Sequence, residues 1–264
     1  MIRVPQADLL SITIHFQHQL VDPAALKGTC CVVIDILRAT TSIVHALGSG
    51  AEFVLPCETI EQAQAVAITA VAGKVLLGGE RHGVRIEGFQ LDNSPYSYMS
   101  PEIAGKTIVF TTTNGTQAIA TCRYADRVLI GSFANFSAIV RLLKTMNQPI
   151  HLICAGTDHA TSLEDVLFAG MVLESIYPPP NPNESLAWSE VLVEGDETLL
   201  ARTLAQYVGD DAQKRLQILN SSRGGRNLIE LGLARDIERA CQLDLFDIVP
   251  SWDAQSGKVT LLVD

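Results

Sequence analysis

The sequence predicts an α/β fold, a mainly parallel sheet with helices on both faces. Two observations carry this reading. Short, continuous, β-branched apolar runs such as Cys30-Cys-Val-Val-Ile34 are long enough for a buried strand and too short for a helix. Each such run ends at a polar loop and is followed by helical patterning, and this order recurs along the chain.

Leu10-Ser-Ile-Thr-Ile-His15 reads as the first strand and Cys30–Ile34 as the second. The polar loop Asp35-Ile-Leu-Arg-Ala-Thr-Thr41 follows, then a helix from Ser42 to Leu47 that Gly48 and Gly50 stop. Glu52–Leu55 is the next strand, and Thr59–Val66 a helix with a capping threonine. Lys74–Leu77 is a strand that opens into a long glycine-bearing loop from Gly78 to Pro95. The order then repeats: strand Lys106–Phe110, loop Thr111-Thr-Thr-Asn-Gly-Thr116, helix Gln117–Cys122, strand Asp126–Ile130 and helix Asn135–Val140. This suggests a partial internal duplication of strand, loop and helix units. A weaker third unit comprises Ile150–Cys154, the loop Ala155–Ser162 and a helix from Leu163 towards Ile176.

Tyr177-Pro-Pro-Pro-Asn-Pro-Asn183 cannot continue a helix and reads as an extended surface loop. The chain is therefore expected as one domain over residues 1–264, or as two lobes meeting near 177–183. Helices are expected at Ser189–Val193, Glu197–Val208, Ala212–Asn220 and near Leu228–Leu243, with Lys258–Val263 a closing strand at an antiparallel edge.

Hydrophobic residues make up 47% of the chain and aromatics 6%, so the core must be built mainly from Ala, Val, Ile and Leu. No run reaches the roughly 18 to 20 apolar residues a membrane helix needs, and no secretory pattern opens the sequence; a cytoplasmic protein without membrane partners is expected. The six cysteines form no Cys-x-x-Cys pair and read as reduced core residues. A net charge of -10 argues against nucleic acid as a partner, yet leaves room for a small anion held by local arginines or a divalent cation. The histidines show no zinc spacing.

Asp35 lies where a buried strand stops, with Arg38, Thr40 and Thr41 at the following helix start. A carboxylate there can hold Mg²⁺ or attack phosphorus, and the arginine and hydroxyls suit a phosphate; the same residues can equally cap the helix. Thr111, Thr112, Thr113, Asn114 and Gly115 offer hydroxyls, an amide and free backbone N–H groups to an oxyanion, or a helix cap. Glu80, Arg81, Asp92 and Asn93 place ligand-like side chains in the glycine-bearing loop. Ser162-Leu-Glu-Asp165 opens a helix, where acids are stabilising without any ligand, and Ser221-Ser-Arg-Gly-Gly-Arg-Asn227 brings two arginines to a connection between helices.

Taken in order, Asp35–Thr41, Gly79-Glu-Arg with Gly88–Pro95, Thr111–Thr116, Ala155-Gly-Thr, Ser162–Asp165, Ala169-Gly170 and Ser222–Arg226 resemble the 2-phosphosulfolactate phosphatase family from about residue 8 to about residue 250. The resemblance implies an unusual three-layer α/β/α fold. It also implies Mg²⁺-dependent hydrolysis of (2R)-O-phospho-3-sulfolactate to 3-sulfolactate and phosphate, a step of coenzyme M biosynthesis in methanogens. Two positions depart from the family pattern: His159 stands where a glycine is common, and a cysteine is common near Phe168. On this basis Asp35, Arg38 and Asn114 are the expected catalytic residues. Thr40, Thr41, Arg81, Thr111, Thr112, Thr113, Gly115, Ser162, Arg223 and Arg226 are expected to bind substrate, and Asp35, Glu80 and Asp165 to bind Mg²⁺. Asp35 is either a metal ligand or a nucleophile; the absence of an Asp-x-Asp pattern favours the ligand role. A substrate that is another phosphorylated hydroxy acid, a non-catalytic anion-binding protein, and assembly as a homo-oligomer all remain compatible with the sequence.

Overall fold

The structure, a computed structural model, describes residues 11–71, 73–178 and 195–262. The expected helix at Ser189–Val193 and most of the expected loop at Tyr177–Asn183 lie outside these residues.

Ten strands form one sheet: β1 (Ile12–His15), β2 (Cys30–Ile34), β3 (Phe53–Pro56), β4 (Val75–Arg81), β5 (Val84–Arg85), β6 (Thr107–Thr111), β7 (Arg127–Gly131), β8 (Ile150–Cys154), β9 (Pro250–Trp252) and β10 (Val259–Leu261). Their order is β1-β8-β2-β7-β9-β10-β3-β6-β4-β5. Two parallel groups stand out, β1-β8-β2-β7 and β3-β6-β4, and the antiparallel pair β9-β10 joins them. The closing strand is antiparallel as expected but sits in the middle of the sheet rather than at an edge, since β10 pairs with both β9 and β3. Only there do two parallel groups, each covered by helices, leave an unpaired strand edge facing the other.

The helices are α1 (Ala39–Gly48), α2 (Ile60–Thr69), α3 (Gly115–Thr121), α4 (Phe136–Leu143), α5 (Leu163–Ile176), α6 (Asp196–Val208), α7 (Ala212–Ser221), α8 (Arg223–Glu230) and α9 (Ala234–Ala240). The three-layer build is visible within β2 itself. Cys30, Val32 and Ile34 join a core with α4, α5 and α6, while Cys31 and Val33 join a core with α1 and α3. Successive strand residues face opposite sides, so a five-residue apolar run reports a sheet covered twice. All six cysteines are buried and unpaired in disulfides. Among the described residues no helix is long and apolar enough to cross a membrane.

Three local expectations change. The stretch Gly78–Arg81, read as loop, continues β4, and Gly79 lies so close to the Thr111 carbonyl of β6 that a Cβ would have no room. The segment near Leu228–Leu243 is two helices, because Gly232 takes φ 75 between α8 and α9. The Ser221–Asn227 connection is mostly the first turns of α8, capped by the Ser222 hydroxyl, which accepts from Gly225 N.

Candidate active site

Ligands of open parallel sheets lie beyond the carboxyl ends of the strands. Here the carboxyl ends of β2 and β6 meet although four strands separate them in the sheet, a convergence that accumulated strand twist permits. The contact is tight. A Cβ on Gly115, at the start of α3, would stand 2.6 Å from Asp35 Oδ2 and collide with Ala39. No residue but glycine brings the two loops this close.

Asp35 is built into its turn by local bonds. Its Oδ1 accepts from Ala39 N at 3.1 Å, while the Thr40 hydroxyl donates to its carbonyl at 2.9 Å and accepts from its N–H at 3.0 Å. The Thr41 hydroxyl donates to the Ile36 carbonyl. Both threonine hydroxyls thus hold the loop and are fully buried. Burial, then the nearby Glu80 and Glu164 charges, push the Asp35 carboxyl up to about 7.

Across the seam, Glu80 at the end of β4 accepts from Thr113 N at 2.8 Å and from Gly83 N at 2.7 Å. The Thr113 hydroxyl also donates to it, which fixes the Thr113–Asn114 turn against β4. Thr112 and Thr116 exchange backbone and hydroxyl bonds within their own turn, and the Thr111 hydroxyl accepts from Arg81 at 2.9 Å. The Asn114 amide makes no hydrogen bond among the described residues and faces the cleft.

That cleft, about 300 Å³, is lined by Asp35, Leu37 and Arg38, by Glu80, His82 and Gly83, and by Asn93, Thr113 and Asn114. Thr157 and Asp158 from the loop after β8 complete one wall, and Gly224, Asn227, Leu228, Glu230 and Leu231 of the α8 region form the roof. Arg38 is 3% exposed and spoken for on two sides: Nη1 donates to Asp236 at 2.6 Å and Nη2 to the Gly83 carbonyl at 3.0 Å. Of the buried polar atoms without partners among the described residues, two lie in this region, Oδ1 of Asn93 and Oε2 of Glu164. Glu164 lies beneath Gly224, where a Cβ would stand 2.5 Å from its Oε1, and burial pushes it up to about 7. Asp165 is also held well above the usual carboxylate range by burial and by Glu164 and Asp35. Its oxygens, however, accept from Ile36 N and Gly156 N, which ties α5 to the Asp35 loop.

The structure therefore gathers Asp35, Arg38, Glu80, Thr113 and Asn114 around one cleft, with Gly115 as the spacer. It places Thr40, Thr41, Thr112 and Ser162 within the walls, where Ser162 shares a hydrogen bond with Thr157. Arg81 and Thr111 pair with each other, Arg81 lining a neighbouring hollow instead. Arg223 and Arg226 are exposed outside the lining, and Arg226 donates to the Ser221 carbonyl. A helical reading of 223–231 carries the missed signal: Gly224, Asn227, Leu228 and Leu231 share one face, and the arginines do not. Asn93 is one of the ligand-like side chains of the glycine-bearing loop; Glu164 and Asp236 lie outside the expected site set, and only Glu164 falls within a motif, Ser162–Asp165. His159 keeps a left-handed backbone, φ 58, the conformation that a glycine adopts without strain. Phe168 is fully buried against Phe133 and Phe136.

The model of the 2-phosphosulpholactate phosphatase family matches residues 15–255. The chain belongs to the 2-phosphosulfolactate phosphatase family. Similar proteins named probable 2-phosphosulfolactate phosphatase include one from Symbiobacterium thermophilum, 40% identical over 90% of this chain and 96% of the relative. Another, from Thermotoga maritima, is 40% identical over 83% of this chain and 87% of the relative. A third, from Clostridium perfringens, is 31% identical over 95% and 96% respectively. In this 2-phosphosulfolactate phosphatase family member, the matched span takes in every wall of the cleft.

Proposed function

We propose that this chain is a Mg²⁺-dependent phosphatase that hydrolyses (2R)-O-phospho-3-sulfolactate, or a closely related phosphorylated hydroxy acid, in the Asp35 cleft. The charge of the lining is the observation that carries the reading. Asp35, Glu80, Asp158 and Glu230 line the cleft, against His82 and one arginine, Arg38, that is already paired with Asp236. A substrate with phosphate, sulfonate and carboxylate groups would meet repulsion there unless a cation entered with it.

Among the described residues no three His, Cys, Asp or Glu side chains are grouped to hold a metal. Magnesium needs fewer, because it binds through one or two carboxylates, with waters and substrate phosphates completing its shell. Of the acids, Asp35 and Glu164 fit best: Glu164 Oε2 is buried without a partner, and Asp35 Oδ2 has no donor within the described residues. Glu80 and Asp165 already accept backbone N–H groups on both oxygens and serve as supports. When bound, the cation would offset phosphate charge and polarise the transferring group.

The chain's own groups then do the rest. Asn114 offers amide N–H donors to phosphoryl oxygens at the seam between α3 and Asp35. Asn227 and His82 face the open side, suited to the sulfonate and carboxylate. Asp35 acts as ligand and water as the attacking group, so beryllofluoride should trap no adduct on Asp35.

The test is phosphate release from phosphosulfolactate and a panel of 2-phosphorylated hydroxy acids, with Mg²⁺ and with EDTA. Mg²⁺-dependent turnover of phosphosulfolactate or of one hydroxy-acid phosphate is expected. Binding without release in any condition would overturn the reading in favour of a non-catalytic anion-binding protein.

A further inference from the structure

We propose that Asp236 is a positioning residue that aims Arg38 into the cleft, so that α9, distant in sequence, sets the direction of the anion-binding guanidinium. The inference rests on the cleft being the phosphoester site.

A guanidinium carries five N–H donors in a rigid fork. Arg38 commits one to Asp236 Oδ2 and one to the Gly83 carbonyl, and it lines the cleft with three N–H groups that have no partner among the described residues. The second Asp236 oxygen accepts from Ser94 Oγ at 2.7 Å. Ser94 is the neighbour of Asn93, whose carbonyl accepts from Ser42 on α1 and whose Oδ1 is buried in the cleft wall without a partner. The Asp236–Arg38 pair thus joins three walls: the β2–α1 loop that carries Arg38, the β4–β5 turn through the Arg38 bond to the Gly83 carbonyl, and the loop before Pro95 through the Asp236 bond from Ser94.

A buried ion pair is weak evidence for stability, because desolvation offsets the attraction. Its placement here has a different use. Pairing cancels the charge of Arg38 while fixing its direction, so the arginine reaches a bound anion already oriented and loses little freedom on binding. This is also why the lining still needs a separate cation.

The experiment uses the full chain in Mg²⁺ buffer, with orthophosphate affinity by calorimetry and turnover of phosphosulfolactate as separate readouts. Asp236→Asn should lower orthophosphate affinity and kcat/KM by about 10- to 100-fold, the range expected when a reacting group is misplaced by an ångström or less. Arg38→Ala should lose a comparable amount and recover most of it when guanidinium is added at non-denaturing concentration. Arg38→Ala with Asp236→Asn should not recover, because nothing then orients the added ion. Equal rescue in both backgrounds would overturn the inference. So would wild-type affinity and kcat/KM in Asp236→Asn, or wild-type protein that binds no orthophosphate. If Asp236→Asn does not fold, the rescue comparison decides alone. A wild type that binds orthophosphate but turns over no phosphoester would sink the proposed function and leave the clamp to the binding data.

Discussion

The loops after β2 and β6 are built on nearly the same frame and differ in one chemically decisive position. In the first, the Thr40 hydroxyl closes the turn onto the backbone of Asp35; in the second, the Thr116 hydroxyl closes onto the backbone of Thr112. Asp35 Oδ1 accepts from Ala39 N, four residues on, just as Thr112 Oγ1 accepts from Thr116 N. Both first residues therefore cap their helices. Only one of them carries a charge, a second oxygen and a face on the cleft. Capping explains why each position holds a polar residue; it does not explain why one is an aspartate under heavy desolvation.

The comparison can be broken most directly at Asp35. Asp35→Asn keeps the capping oxygen and removes the charge, so steady-state turnover should fall by about a thousandfold or more, equivalent to ~4 kcal/mol of transition-state stabilisation. A variant retaining a tenth of wild-type kcat would reduce Asp35 to a cap like Thr112. Next in size is the seam itself. Gly115→Ala would drive a methyl against Asp35 and Ala39, and we expect a loss of about 1–3 kcal/mol in denaturant unfolding together with at least tenfold lower activity.

The pH response separates the loops again. Asp35 and Glu164 have folded pKa values near 7, above those of free carboxyls. The folded state then binds more protons, so their stabilisation is present at low pH and is lost as pH rises through about 7. In EDTA the thermal midpoint should fall as pH rises from about 4, the free carboxyl range, to about 7, and Asp35→Asn should flatten that slope. Thr112→Ala should leave the slope intact while costing about 0.5–2 kcal/mol for the lost cap, with turnover within several-fold of wild type. Smallest of all, Arg223→Ala and Arg226→Ala lie outside the cleft lining and should change kcat/KM by less than about twofold and stability by under about 0.5 kcal/mol.

What the sequence reveals follows the range of the interactions. The β2 run, the turn after it and the polar turn after β6 depend on neighbours within a few residues, and all are readable locally. So is the parallel sheet, because Cys30–Ile34 is apolar on both faces. The partners of Arg38 are not local: Asp236 lies on α9, and no periodicity links the two. The choice between Glu164 and Asp165 depends on the rotation of α5 relative to β2, which fixes Asp165 to Ile36 N and leaves Glu164 Oε2 without a partner. Arg223 and Arg226 read locally as cations in a loop; the stretch is a helix, and its face decides which residues reach the cleft. The central place of β10 is also invisible locally, since an antiparallel strand of three residues looks the same at an edge or between neighbours.

That central hairpin has a consequence for how the molecule comes into being. Asp35 hangs from one parallel group, Glu80 and Gly115 from the other, and β9 and β10, the last of the described strands along the chain, join the two. A growing chain can form either group before β9 and β10 exist, yet the groups become one sheet only through that pair. A cleft that draws Asp35 from one group and Glu80 and Gly115 from the other is then expected to assemble only after the β9–β10 hairpin pairs, rather than with the segments that carry the acids.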